Sequence, residues 1–380
     1  MIVCLTNRGV CGIIKPLAIP PFKIGIYRKL TMKQQVLNEI TAPLLYWYQG
    51  AARDLPWRRE PTPYHVWISE IMLQQTRVEA VKGYYARFLG AFPTVEALAA
   101  ADDDALNKVW QGLGYYSRAR NLKKAAVALV RDFGGQLPAD HSALLTLPGI
   151  GAYTAGAIAS IAFGLPTPAV DGNVLRVVTR LCADDSDITK QTTKDAVTDA
   201  LEAIYPRTPE DAAMMTQALM ELGATVCVPN GAPHCAECPL ASLCCAHAEG
   251  TELNYPNKPP KKGRTLVDKT VFLLRCGDRY AIRQRPDEGL LAGLWEFPSV
   301  DRHLAPEEVV GYLQTLGLTA AEVTQLPDAK HIFTHIEWHM RGYEVRVREE
   351  IPSYVWADVD EIQDIYSIPS AFKAFLARLQ

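Results

Sequence analysis

The chain has 380 residues, a formal net charge of −3 and 48% apolar residues, enough for two domains that each bury a core. No run of about 18 or more apolar residues occurs, so the usual sequence mark of a membrane-spanning helix is missing. The near-neutral balance excludes a protein that grips nucleic acid by bulk positive charge, and any such contact has to come from local patches.

Residues 1–33 carry six basic residues and no acidic ones. They are apolar and proline-interrupted, with no small-residue cleavage site after an apolar core, so a signal peptide is a poor fit and a peripheral extension is expected. Met32 is an alternative start. From Gln34 to about Gly250, apolar residues recur at three and four with Gly and Pro between. The pattern predicts helices at Gln34–Gln49, Tyr64–Gln75, Arg77–Phe88, Val95–Ala100, Ala105–Trp110, Ser117–Phe133 and Ala212–Leu222. This gives an all-α domain over 34–250.

Within it, Glu70 lies in the apolar, aromatic stretch Val66–Gln75. Buried carboxyls have raised pKa values and serve as general acids near neutral pH; the plainer alternative is a Glu on a polar helix face. Leu147-Pro148-Gly149-Ile150-Gly151 separates predicted helices at His141–Leu145 and Ala152–Phe163. Gly149 and Gly151 permit a tight turn, and a helix that starts there offers its positive end to phosphate; an ordinary turn between helices would look the same. Asp171 precedes an apolar helix pattern, a favoured capping position. The helix terminus would help to keep it ionised. One protonated and one ionised carboxyl is the arrangement that cleaves glycosidic bonds.

Cys227, Cys235, Cys238 and Cys244 follow with the spacing C-x7-C-x2-C-x5-C, and Cys245 is adjacent. Soft thiolates select zinc or an iron–sulfur cluster. Zinc sites more often use two separated C-x2-C pairs, so a lone Cys leading a compact triplet favours iron and sulfur. A disulfide is disfavoured because nothing else suggests secretion.

Residues 251–266 contain prolines and basic residues without periodicity and read as a semi-rigid linker. Beyond it, residues 267–380 hold twelve basic and eighteen acidic residues, so this part is no electrostatic clamp. DKTVFLLRC and RYAIRQR alternate across a Gly-Asp turn. A helix is expected at Pro306–Leu316, strands within AKHIFTHIEWHM and GYEVRVRE, and a last helix at Ser370–Leu379. Together they make an α+β domain.

From about Val36 onward these features resemble the helix-hairpin-helix DNA glycosylases with an iron–sulfur loop and, among them, the MutY-type adenine DNA glycosylases. The resemblance rests on LPWR at 55–58, TPYHVWISEIMLQQTRV at 62–78, GLGYYSRARNL at 112–122, LPGIGAYTAGAIAS at 147–160, VDGNV at 170–174 and the cysteine loop. It implies a 4Fe-4S cluster on Cys227, Cys235, Cys238 and Cys244; the family usually spaces the first two cysteines by six residues, not seven, and the x5 spacing favours Cys244 over Cys245. It implies flipping and removal of adenine mispaired with 8-oxoguanine or guanine in double-stranded DNA, by an intracellular monomer of the cytoplasm or nucleoid. Glu70 matches the general acid, Asp171 the carboxylate that stabilises the sugar cation, Asn173 its polar partner and Tyr153 a residue beside the scissile bond. Strand-cutting relatives carry at Tyr153's position a Lys that forms a Schiff base, so base removal without efficient strand cleavage is expected. Arg53, Leu55, Trp57, Arg58 and Gln217 resemble the adenine pocket, Gln75 and Thr76 the contacts to the opposing base, and Tyr115 an aromatic wedge. Tyr115-Tyr116 with Arg118, Arg120, Lys123 and Lys124 reads as a basic-aromatic patch for DNA.

Gly289–Val300 resembles the Nudix-related domain that the family appends. The stretch Val310–Gly317, set against the Nudix metal helix, lacks its Arg and its carboxylates, so diphosphate hydrolysis is not expected. Phe333-Thr334-His335 matches the loop, usually Phe-Ser-His, that reaches 8-oxoguanine. The alternative is a related glycosylase for thymine or uracil mismatches.

Overall fold

The computed structural model describes residues 33–260 and 263–379. The expected N-terminal extension, apart from Lys33, and two residues of the linker lie outside them. Among the described residues no helix is long and apolar enough to cross a membrane.

Six helices frame the site: α1 (Thr41–Ala51), α2 (Pro63–Leu73), α3 (Ser117–Phe133), α4 (Ala152–Ala157), α5 (Gly172–Leu181) and α6 (Pro209–Thr225). Their starts follow from local chemistry. Thr62 and Thr208 cap α2 and α6 with their side-chain oxygens, and Pro63 and Pro209 fill the first helical position, where a missing N–H costs nothing. Asp171 caps α5. Gly134, at φ 62°, ends α3 in the left-handed conformation. Every residue of α2 from Val66 to Met72 is buried, so this helix runs through the middle of the domain.

Two helix expectations in the helical part need correction. The helix foreseen over Gln34–Gln49 is broken at residues 39–40, between a first piece at 33–38 and α1. Pro43 has no N–H and clashes with the carbonyl four residues back, so it is tolerated only in a first turn. The helix foreseen over Ala152–Phe163 is regular only to Ala157 and widens into a π turn at Ile158–Ala162.

The C-terminal part is a mixed seven-stranded sheet: β1 (Thr265–Cys276), β2 (Arg279–Gln284), β3 (Trp295–Glu296), β4 (Ser299–Val300), β5 (Ala320–Ile332), β6 (Ile336–Val347) and β7 (Val355–Ala357). The order is β3-β2-β1-β6-β5, with β4 against β1 and β7 against β2. β1 and β6 are parallel over Thr265↔Ile336 to Arg275↔Arg346. The run 329–340 is therefore not one strand but a hairpin, with Phe333–His335 as its turn, and β1 starts two residues inside the expected linker. The first half of β5 escaped the sequence because it is a solvated edge strand with Pro327 at an irregularity, where alternation and β-propensity are weak. The last helix shortens to a 3-10 turn at Ser370–Phe372 followed by a single α-helical turn at Lys373–Leu376.

The two parts are docked. Leu294 packs into the helical core, Trp295 Nε1 donates to Asp104 Oδ1 at 3.0 Å, Gln111 Nε2 to the Ile368 carbonyl at 2.8 Å and Arg120 Nη1 to the Ala292 carbonyl at 2.7 Å. This corrects the basic-patch expectation. Arg120 is spent on the domain contact, Lys123 on Asp103, and Tyr116 is buried. Arg118 is buried beneath the loops that follow α2 and precede α3 and donates to the carbonyls of Ile71 (2.9 Å), Met72 (2.9 Å), Gln74 (2.7 Å), Leu113 (3.1 Å) and Gly114 (3.0 Å). It thus satisfies the orphan carbonyls at the end of α2, and burial pulls its pKa down to about 10. Arg118→Met is expected to destabilise the fold by about 3–5 kcal/mol, because five buried carbonyls lose a charged donor. Urea unfolding of the variant against the parent measures this.

Candidate active site

A cavity of about 180 Å³ opens between α2, α4, the head of α5 and α6. Glu70 comes from the apolar interior of α2, Tyr153 from the first turn of α4, and Asp171 and Asn173 from the start of α5; all four line the cavity. The Tyr153 hydroxyl donates to Glu70 Oε2. Burial pushes Glu70 up to about 7, against the pull of that hydrogen bond, and the neighbouring Asp171 adds to the rise. Tyr153 is held well above its ordinary value by burial and by Glu70.

Asp171 departs from expectation in one respect. Burial raises its pKa above the ordinary value, so the helix terminus does not win outright. Its carboxyl nevertheless accepts three donors: Asn173 N at 2.8 Å, Val174 N at 2.8 Å and Asn173 Nδ2 at 2.7 Å. Glu70 has one. Hydrogen bonds to the charged form favour it, so as pH falls Glu70 takes its proton first. The two carboxyls then face one cavity in opposite states, the pairing that glycosidic cleavage needs.

The cavity wall holds Arg53, Leu55, Trp57, Arg58, Thr76 and Gln217. Trp57 stands edge-on to Tyr85, with ring centroids 5.6 Å apart. Gln217 accepts from the Tyr48 hydroxyl at 3.2 Å. Two residues here escaped the sequence reading. Glu221, one turn beyond Gln217 on α6, binds both Arg53 and Arg58; the signal available was the one that drew attention to Glu70, a carboxylate in an apolar helix. Arg176 donates to Asn173 Oδ1 at 2.8 Å, to the Gly223 carbonyl at 2.6 Å and to the Cys227 carbonyl at 2.7 Å. It ties the Asp171–Asn173 pair to the head of the cysteine loop. Gly223 permits this junction, since a Cβ there would lie 2.6 Å from Asn173 Cβ.

The remaining expected residues lie outside this cavity. Gly149 sits at φ +77°, where a Cβ would also meet Asn121 Cβ at 2.6 Å, and both Gly149 and Gly151 are exposed. Gln75 turns away from the cavity. Its Oε1 accepts from the Tyr115 hydroxyl at 2.6 Å, and that hydroxyl also lies 2.6 Å from Thr334 Oγ1 across the domain junction. Gln75 and Tyr115 both have positive φ, 57° and 47°, a strained state for such side chains that concentrates at ligand sites. Phe333 instead packs inward on His331 and Trp338, at 4.6 and 4.9 Å between centroids, while Thr334 and His335 are exposed.

Cys227, Cys235, Cys238 and Cys244 line one void with Val177, Leu181 and Leu222, and Cys245 lies outside that lining. Burial pushes Cys235 and Cys238 up to about 11, so four thiolates there need a cationic centre. Arg180 Nη1 reaches Cys227 Sγ at 3.3 Å. The soft, convergent donor set suits an iron–sulfur cluster. Cys235, His247 and Glu252 also cluster, but His247 and Glu252 are paired with each other at 2.6 Å.

Residues 68–218 match the family profile of the HhH-GPD superfamily base excision DNA repair proteins, and residues 270–378 match that of NUDIX domains. The adenine DNA glycosylase of Rattus norvegicus is 36% identical over 91% of this chain and 81% of its own length. The one from Homo sapiens is 36% identical over 83% of this chain and 68% of its own length. Among solved structures, a thermostable thymine-DNA glycosylase is similar at 28% identity and a TM-score of 0.51, covering 58% of this chain and 98% of that one. The helical part thus carries the glycosylase fold, the added domain and the full-length similarity select among its branches, and the chain belongs to the adenine DNA glycosylases of base excision repair.

Proposed function

We propose that this glycosylase acts on adenine opposite 8-oxoguanine, and less readily opposite guanine, leaving an abasic site without efficient strand cleavage. The observation that carries the chemistry is the opposed pair of carboxyls: Glu70, pushed up to about 7, and the triply hydrogen-bonded Asp171 on one base-sized cavity. Adenine flipped from the duplex enters between Trp57 and the Arg53–Arg58 wall, with Gln217 facing its edge. Glu70 donates its proton to adenine N7. The C1′–N9 bond breaks with its electron pair going to the base, and Asp171, positioned by Asn173, stabilises the sugar cation. Water adds at C1′ and gives up a proton that restores Glu70. Tyr153 holds Glu70 and cannot form a Schiff base, so the backbone stays intact.

The exposed Gly149–Gly151 hairpin supplies phosphate contacts. Gln75, Tyr115 and Thr334 face the opposing base, whereas Thr76, expected beside Gln75, lines the adenine cavity instead. Cys227, Cys235, Cys238 and Cys244 would hold a 4Fe-4S cluster that acts as a rigid cross-link of the loop. Monomeric action on duplex DNA fits one complete cavity per chain.

Single-turnover rates on adenine opposite 8-oxoguanine and opposite guanine test the preference. The parent is expected to favour the damaged partner, and Thr334→Ala to lose about tenfold of that preference through one lost hydrogen bond. Equal rates for the two duplexes in the parent protein sink the reader role, and release of thymine or uracil in place of adenine supports the other mismatch class.

A further inference from the structure

We propose that Glu221 is a positioning residue for the acid: by clamping Arg58 and Arg53 to the α6 wall, it keeps a guanidinium from closing on Glu70. The inference rests on the reading of Glu70 as the proton donor.

Glu221 is 1% exposed and its carboxylate is fully engaged. Arg53 donates through N at 3.2 Å, Nε at 2.6 Å and Nη2 at 2.9 Å, and Arg58 through Nη2 at 2.7 Å. Although burial raises it, the two guanidiniums win and hold its pKa below the ordinary carboxylate range. Arg58 is gripped at its other end too, with Nη1 on the Arg53 carbonyl at 3.0 Å. Both amino groups of Arg58 are therefore engaged by acceptors other than Glu70.

The charged and titratable groups around Glu70 are few. α4 contributes Tyr153, the head of α5 contributes Asp171, and the short helix Pro56–Arg59 contributes Arg58. α6 contributes Glu221 and the neutral Gln217. α3 contributes Arg118, held at the carbonyl end of α2. On α2 itself, Ser69 bonds back to the Val66 carbonyl and His65 sits by the Glu60 carbonyl. Arg58 already pulls the Glu70 carboxyl downward. If Glu221 loses its charge, Arg53, with a side chain 37% exposed, can turn to water, whereas Arg58 at 16% cannot. The anions left to Arg58 in the cavity are Glu70 and Asp171, and a charge-assisted bond to Glu70 would fix its ionised form.

The test is the pH profile of single-turnover adenine release for the parent, Glu221→Gln, Glu221→Asp and the double variant Glu221→Gln/Arg58→Gln. The alkaline limb of Glu221→Gln is expected to move down by about 1 pH unit or more, the size of effect a close opposite charge has on a carboxyl. Glu221→Asp keeps the parental limb at a lower rate, and the double variant returns the limb to the parental position or above. A Glu221→Gln limb at the parental position, or an equal shift in Glu221→Asp, overturns the proposal. Should Glu221→Gln fail to fold, Arg58→Gln alone decides: its limb must rise, and an unmoved limb overturns the idea. Activity retained by Glu70→Gln is a separate result, which removes the acid assignment itself.

Discussion

Glu70→Gln is expected to lose adenine release by a factor of about 10²–10⁴, the usual contribution of a positioned acid, while still binding the mismatched duplex. Gln keeps the shape and can accept from Tyr153, but it cannot deliver a proton to N7. In the parent protein the protonated form is the active one, so the rate is expected to be flat at low pH and to fall as pH rises through about 7. Stability gives an independent readout with its own sign. The carboxyl rises from 4.5 to about 7 on folding, so protonation is favoured in the folded state. Its contribution is present below the unfolded value and is lost as pH rises through the folded one. Glu70→Gln has no such loss. Above pH 8 it is expected to be more stable than the parent by about 1–3 kcal/mol, as chemical denaturation at acid and alkaline pH would measure. A variant equally active, or destabilised alike at both pH values, contradicts the assignment.

Cys238→Ser is expected to remove the iron–sulfur absorption and to cost several kcal/mol of stability, since a structural metal site contributes its binding energy to folding. The void behind the four thiols is walled by Val177 and Leu181 of α5 and Leu222 of α6, the helices that also deliver Asp171, Asn173 and Gln217. Arg176 bridges the Cys227 carbonyl to Asn173, so loosening the loop should disturb the Asp171 pair. Adenine release is expected to fall with the cluster. Cys245→Ser is the control: its thiol lies outside the lining, and the variant is expected to keep both absorption and melting temperature. Absorption spectra and thermal melts of the two proteins separate the outcomes, and a colourless Cys245→Ser would reverse the choice of the fourth ligand.

The sequence was informative where one residue type has few places to go. A Glu inside an apolar helix, an Asp before a helix and a Gly-x-Gly turn each predicted an environment, and Glu70, Asp171 and Gly149 occupy those environments. It was misleading where a polar residue has several possible partners. Arg118 looks like a DNA contact in one dimension, yet its guanidinium is buried on five carbonyls that only the fold brings together. Arg120 and Lys123 are similarly spent. Glu221 was passed over because nothing local reveals two arginines some 165 positions earlier. In the first half of β5 the inward residues Ala320, Val323 and Leu326 fall three apart on a strand with register shifts, so it shows no two-residue period to read.

The most direct test of the whole account is the product formed from a duplex with adenine opposite 8-oxoguanine, in single turnover by iron-loaded protein, assayed before and after alkali. Free adenine with a strand that breaks only after alkali is the predicted result. No adenine, or a strand already broken without alkali, would contradict it.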